Sequence, residues 1–281
     1  MTFREEPIPS GTDVVFYTSW EHYYLQPRIE RRKYPCVALM THLDRSAFRL
    51  LYMSFASSCR IACMSKRWLR VLRRYRISES KLALAPFGID LEHYRSTNGI
   101  GQAGRIRVGV VGRLYPGGRK GEDMLVKLAG VLDPAGYSFL FIGERWDDIV
   151  DGLRKRGFEV DYRERADAAE MPMAYGSMDA LLICSRREGG PLPALEALAC
   201  GVPIISTPVG YVPDLIEALP FAGGIFRDIG EAASMLQSAK SLREQTTLRS
   251  VEVRKELVEY AWPAFSRRIA SLIDAVAEQE S

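Results

Sequence analysis

Cysteine is scarce in this chain and poorly spaced for pairing: five residues, Cys36, Cys59, Cys63, Cys184 and Cys200, odd in number and scattered. That excludes a disulfide-built scaffold, and no second Cys or His pair stands at zinc-site spacing. Reduced thiols and a cytoplasmic location are expected. Histidine is scarcer still, at three (His22, His42, His93). No uncharged apolar run approaches the ~20 residues of a membrane span. The opening Met-Thr-Phe-Arg-Glu-Glu-Pro is acidic and lacks the apolar core of a signal peptide. No Asp-x-Asp stands on a strand end, so no metal ligand is assigned. Internal repeats and long low-complexity stretches are also absent.

What is present is a globular composition of 281 residues, 47% hydrophobic and 26% charged, enough for one large domain or two ordinary ones. The net charge of +3 is unevenly spread. Residues 28–81 hold fourteen basic side chains against three acids, a local +11 that leaves −8 for the rest. Such a segment suits an anionic membrane surface, with nucleic acid ranked lower because no nucleic-acid-binding motif is present. A solvated helix face explains the same charge.

Apolar runs at Asp13 to Thr18, Cys36 to Thr41, Arg60 to Met64 and Lys81 to Ala85 predict strands. Helical patterns fall between them at Ser46 to Ser58 and at Lys66 to Tyr75, the latter with Trp68, Leu72 and Tyr75 on one face. Ser96 to Gly104 reads as a flexible connector. A second alternation then predicts strands at Arg107 to Val111, Tyr137 to Ile142 and Phe158 to Tyr162, with helices at Glu122 to Leu132 and Asp147 to Arg156. Strands alternating with helices argue for doubly wound α/β domains with parallel sheets. The expected division is 1–103, 104–260, and a last helix within 261–281.

The most informative stretch follows. Asp179 to Ser185 is an apolar strand. Arg187-Glu188-Gly189-Gly190-Pro191-Leu192-Pro193-Ala194-Leu195-Glu196 is a Gly turn entering a helix, which leaves through Cys200-Gly201-Val202-Pro203 into the next strand. In a βαβ unit ligands sit over the strand C-termini and helix N-termini, so Glu188 is presented to a crevice and Glu196 reaches in from the helix. These residues resemble the retaining, nucleotide-sugar-dependent glycosyltransferases of GT-B fold (glycosyl transferases group 1, family 4-like), marked by Glu, seven residues, Glu, and a small-residue helix ending in Cys-Gly-x-Pro. The resemblance implies two Rossmann-like α/β domains with parallel sheets, the N-terminal one reduced. It also implies transfer of a sugar from a UDP- or GDP-sugar to an acceptor hydroxyl, with no cofactor or metal. The last helix would return to the N-terminal domain.

Val108 to Leu114 ends a strand in Gly112-Arg113, and Pro116-Gly117-Gly118-Arg119-Lys120-Gly121 leads into a helix. By resemblance, Arg113 and Lys120 hold the donor diphosphate. The loop is about two residues longer than usual, so Arg119 shares or takes the role of Lys120. Two cations and helix-start amides stabilise the charge that grows on a leaving diphosphate. The resemblance further assigns Glu196 to the ribose hydroxyls, Glu188 to the transferred sugar, and the amides after Glu188 (Gly189, Gly190, Leu192) to sugar and phosphate. Where the family reads Glu-Gly-Phe-Gly-Leu-Pro, this chain reads Glu-Gly-Gly-Pro-Leu-Pro, and Pro191 removes one amide donor. His42, at a strand end, matches the family's sugar-contacting His. Lys81 to Asp90 resembles the strand and turn that enter the family's hinge.

The resemblance covers the C-terminal half well but only the later part of an N-terminal domain, whose opening strand and Gly-rich loop are missing. Three readings stay open: a compact transferase, one chain of a split enzyme or homo-oligomer, and a silent nucleotide-sugar-binding protein. The expected acceptor is lipid-linked or a glycan, with nucleic acid ranked lower, and the protein is expected in the cytoplasm or on the inner face of a membrane.

Overall fold

The computed structural model describes residues 11–18, 34–41, 59–96 and 104–278. These fall into two compact units, one within Met1–Phe87 together with Trp262–Ser281, the other Gly88–Ala261. The division lies upstream of the Ser96–Gly104 connector. The physical reason is burial: Ile89, Leu91 and Tyr94 pack into the core of the second unit, and Ile89 donates its amide to Tyr260 O at 2.9 Å.

In the first unit, β1 (Val15–Tyr17), β2 (Cys36–Met40), β3 (Cys59–Cys63) and β4 (Leu82–Leu84) form a parallel sheet in that order. Strand β2 is apolar throughout because both its faces are covered. Cys36, Ala38 and Met40 join Leu72 of α1 (Lys66–Arg74), while Val37 and Leu39 join α10 (Trp262–Ala277). The α10 stripe of Phe265, Ile269, Leu272, Ile273 and Val276 has the spacing of one helix face. On α1 the inward set is Trp68, Leu69 and Leu72. Tyr75 lies outside it, 45% exposed, because the helix ends at Arg74 and Tyr75 is its C-cap. The reduced-thiol expectation fails at Cys36, which is disulfide-bonded, whereas Cys63, Cys184 and Cys200 are free and buried. In the register Cys36 stands opposite Cys59 on the adjacent strand. The helix expected at Ser46 to Ser58 lies outside the described residues.

The second unit has six parallel strands: β5 (Ile106–Val111), β6 (Tyr137–Ile142), β7 (Glu159–Arg163), β8 (Ala180–Ile183), β9 (Ile204–Ser206) and β10 (Gly223–Ile225), in the order β10-β9-β8-β5-β6-β7. From β5 the chain winds outward through β6 and β7, then returns to lay β8 on the other side of β5. The β5–β8 seam is therefore the switch point where α/β sheets bind ligands. Strand residues alternate between two cores: Val108, Phe139, Phe141 and Leu182 on one face, Leu140, Ile142, Leu181 and Ile204 on the other. The connecting helices are α2 (Glu122–Ala129), α3 (Asp147–Lys155), α4 (Met171–Gly176), α5 (Leu192–Ala199) and α6 (Val212–Ala218). After β10 the chain closes with α7 (Ile229–Gln237), α8 (Ala239–Leu248) and α9 (Ser250–Leu257). The two-glycine strand β10 is not foreseen from sequence, since its assignment depends on pairing with β9. Among the described residues no helix is long and apolar enough to cross a membrane.

Candidate active site

At the switch point, the loop after β5 meets the turn after β8. Lys120 Nζ donates to Glu188 Oε1 at 2.8 Å, and Arg119 Nη2 reaches Glu188 Oε2 at 3.3 Å. Ser185 Oγ adds a third contact to Oε1 at 3.0 Å, while its own carbonyl accepts Thr207 Oγ1 at 2.5 Å. The backbone joins the same two loops, Arg186 N donating to Arg119 O at 2.9 Å. A shallow open pocket lies here, lined by the ends of β5 and β8 and by Lys120, Trp146, Pro191 and Pro193. Trp146 secures one wall by donating its indole N–H to Gly112 O at 2.7 Å.

Glycine sets the loop's path at two places. Gly112 has φ +120°, and a Cβ there would lie 3.1 Å from Lys120 Nζ, so the ammonium rests where any other residue would crowd it. Gly121 caps α2 at φ +70°, and its Cβ would meet Cys184 O at 2.0 Å. That close approach brings Lys120 to the end of β8.

The two carboxylates sit in opposite electrostatic settings. Burial pushes the Glu188 carboxyl up, but Lys120, Arg119 and Ser185 together outweigh it and hold the group below the ordinary carboxylate value. Glu196 is also buried, and there burial wins: its carboxyl lies above the ordinary value despite hydrogen bonds from Tyr175 and Tyr94 and the proximity of His93. The Tyr175 hydroxyl donates to Glu196 Oε2 at 2.5 Å.

Opposite pH behaviour follows. A depressed carboxylate lends stability that is present above its unfolded pKa and lost as pH falls through its folded value. A raised one does the reverse, the folded state losing stability as pH rises through its folded value. Glu188→Gln at neutral pH is expected to destabilise the protein by roughly 1–3 kcal/mol, because it leaves Lys120 and Arg119 facing each other without their counter-charge. Glu196→Gln is expected to be neutral or to stabilise by up to about 1 kcal/mol, since it relieves a buried charge. Urea unfolding at pH 7 measures both, and equal losses in the two variants would refute the contrast.

Other expected residues are placed differently. Arg113 turns to the rim, where Nε meets Glu144 Oε2 at 3.3 Å and the guanidinium lies 5.8 Å from the Tyr115 ring centre, so the structure does not bring it to Lys120 and Glu188. Arg119 approaches the same ring at 5.2 Å. Gly189, Gly190 and Leu192 form the turn into α5, and both Pro191 and Pro193 lack an N–H there. His42 lies outside the described residues. Ser185, Tyr94 and Tyr175 were not foreseen. Only the place of Ser185 at the end of a buried strand offered a signal. Among the described residues no cluster of three or more His, Cys, Asp or Glu could hold a metal ion.

One family match falls within this unit. The family described as Glycosyl transferases group 1 matches residues 105–244. A D-inositol 3-phosphate glycosyltransferase of Actinosynnema mirum is 29% identical over 197 residues, covering 60% of this chain and 46% of the relative. An uncharacterized 41.2 kDa protein in the cps region of Klebsiella pneumoniae is 34% identical over 116 residues, or 41% of this chain and 31% of its own. The chain thus spans between about a third and a half of these curated relatives. Among solved structures, HepE of Anabaena in complex with UDP aligns with a TM-score of 0.75 at 15% identity, over 94% of this chain and 79% of that one.

Proposed function

We propose that the chain, whose residues 105–244 match the glycosyl transferases group 1 family, transfers a sugar from a nucleoside diphosphate sugar to an acceptor hydroxyl, with retention at the anomeric carbon. The observation that carries this reading is the Lys120–Glu188 pair at the β5–β8 seam, with Arg119 beside it and a pocket at hand. The two cations exceed the single carboxylate, leaving positive charge for a diphosphate. HepE was solved with UDP, which favours a uridine donor.

In the proposed reaction the acceptor oxygen attacks the anomeric carbon on the face from which the diphosphate departs. The C–O bond breaks with its electron pair going to the diphosphate, and a phosphate oxygen takes the acceptor's proton. Lys120 and Arg119 stabilise the growing charge, a role filled here by side chains rather than a metal ion. Glu188 orients the transferred sugar through its hydroxyls, and no protein nucleophile is assigned.

Thermal stabilisation by a panel of UDP-, GDP-, ADP- and dTDP-sugars tests the reading. One donor is expected to raise the Tm, in chelator as well. Glu196→Ala is expected to weaken that binding about 10-fold or more, by loss of charge-assisted bonds to the ribose. NMR of the product is expected to show the donor's anomeric configuration. An inverted product would sink the mechanism. No stabilisation by any donor would favour a split-enzyme subunit or a silent homologue.

We place the acceptor on a lipid carrier at an anionic surface. Helix α1, within the basic stretch, exposes Arg70 and Arg74 beside Arg76. Sedimentation with anionic vesicles should capture the protein at low salt and release it as ionic strength rises. Retention on duplex DNA without capture by vesicles would move the acceptor to nucleic acid.

A further inference from the structure

The Glu196 carboxylate does not stand alone. It is the focus of two tyrosines, one buried and one partly buried, drawn from two distant parts of the chain. Tyr175, on α4, is fully buried and donates to Oε2 at 2.5 Å. The Tyr94 phenol favours the charged form of the same carboxylate, and its ring meets that of Tyr175 edge-on at 6.1 Å. Tyr94 belongs to a short turn that is itself secured. Asp90 Oδ1 accepts the amides of Glu92 and His93 at 2.9 and 3.0 Å, Tyr94 N donates to Asp90 O at 3.0 Å, and His93 Nε2 lies 2.7 Å from Ala168 O. A tyrosine at either position could pack through its ring alone. Instead the Tyr175 hydroxyl is spent on the carboxylate, and the Tyr94 ring braces it.

We propose that Tyr94 and Tyr175 are positioning residues that aim the Glu196 carboxylate at the nucleotide ribose and keep it ionised. The inference rests on the ribose reading of Glu196. The physical need is clear: a buried carboxylate is driven toward its neutral form, and a protonated carboxyl has fewer lone pairs with which to accept hydroxyl donors. Two phenol O–H groups favour the charged form while leaving acceptor sites open, since a carboxylate has about four. The titratable groups around Glu196 are Tyr175, Tyr94, His93, Cys200 and Tyr211. Of these, His93 is the one imidazole, and its substitution serves as the control.

The test is the Kd of UDP, GDP and ADP between about pH 5 and 8 for the wild type, Tyr175→Phe, Tyr94→Phe, His93→Gln and Glu196→Ala, with Tm recorded for each. Phenylalanine keeps the ring packing and removes only the hydroxyl. Each Phe variant is expected to weaken nucleotide binding about 10-fold at the acid end and less at pH 8, moving the acid limb of the profile upward. In His93→Gln the limb is expected to remain. Loss of affinity uniform across pH and in step with a falling Tm would mean a structural role and overturn the proposal, as would a limb that vanishes in His93→Gln. If Glu196→Ala weakens binding while both Phe variants match the wild type, the positioning role fails and the ribose reading survives. If Glu196→Ala itself leaves all three Kd values unchanged, the ribose reading fails and takes this one with it.

Discussion

Lys120→Ala should lower turnover by about 10²–10³-fold, the size of loss seen when one preorganised group facing developing charge is removed. Donor KM should change far less. The diphosphate is already anionic in the ground state, but the bridging oxygen gains its charge only as the glycosidic bond breaks, so a cation there contributes most at the transition state. The structure adds a second consequence. Lys120 is the main counter-charge of the buried Glu188, at 2.8 Å, with Arg119 more distant at 3.3 Å. Its loss lets burial dominate, so the Glu188 carboxyl rises and the acid limb of the rate profile moves to higher pH. Arginine should not fully rescue, because a planar guanidinium does not reproduce the point contact of Nζ with Glu188 Oε1 at 2.8 Å. Initial rates of nucleoside diphosphate release across pH measure all of this. A wild-type kcat in Lys120→Ala would shift the role to Arg119 or remove this loop from the chemistry.

Gly121→Ala should be the most damaging small substitution at the site. At φ +70° an L-residue is strained by roughly 1–2 kcal/mol. The added methyl would also stand 2.0 Å from the Cys184 carbonyl oxygen, a backbone atom that no rotamer change can clear. Overpacking of that kind costs about 1–3 kcal/mol more. The expected loss is therefore about 2–5 kcal/mol, read as a lower urea midpoint at unchanged slope. Gly117 provides the control on the same loop: φ is +91°, but nothing lies within 4 Å of its would-be Cβ. Gly117→Ala should show the strain alone. Equal midpoints in the two variants would disprove the close approach of the loop to β8. Because that approach delivers Lys120 to Glu188, residual folded Gly121→Ala should also bind nucleotide poorly.

The strands were legible because of how they are buried. Runs such as Val37 to Met40 and Phe139 to Ile142 are apolar at every position, which occurs when both faces of a parallel sheet are covered. The turn after β8 was legible because Gly189-Gly190-Pro191 between a buried strand and a small-residue helix has few other structural uses. The short strand β10 carries no such signal, since two of its three residues are glycine. Trp68 and Leu72 were placed correctly on the inner face of α1, but Tyr75 was not, because periodicity does not show where a helix stops.

The amino-acid sequence alone determined the α/β class, the parallel strands, and the presence of Glu188, Arg119 and Lys120 in loops and of Glu196 on the helix that follows. Those properties depend on local pattern and on chain neighbours. Only the tertiary structure decided which charges meet. Lys120 and Glu188 are far apart in sequence and become partners because β8 is laid beside β5 after the chain has wound outward and back. The same folding turns Arg113 to Glu144 and gathers Tyr94 and Tyr175 on Glu196. Pairings of this kind are set by sheet order and by the cost of leaving a buried charge alone, and neither is written in the spacing of residues along the chain.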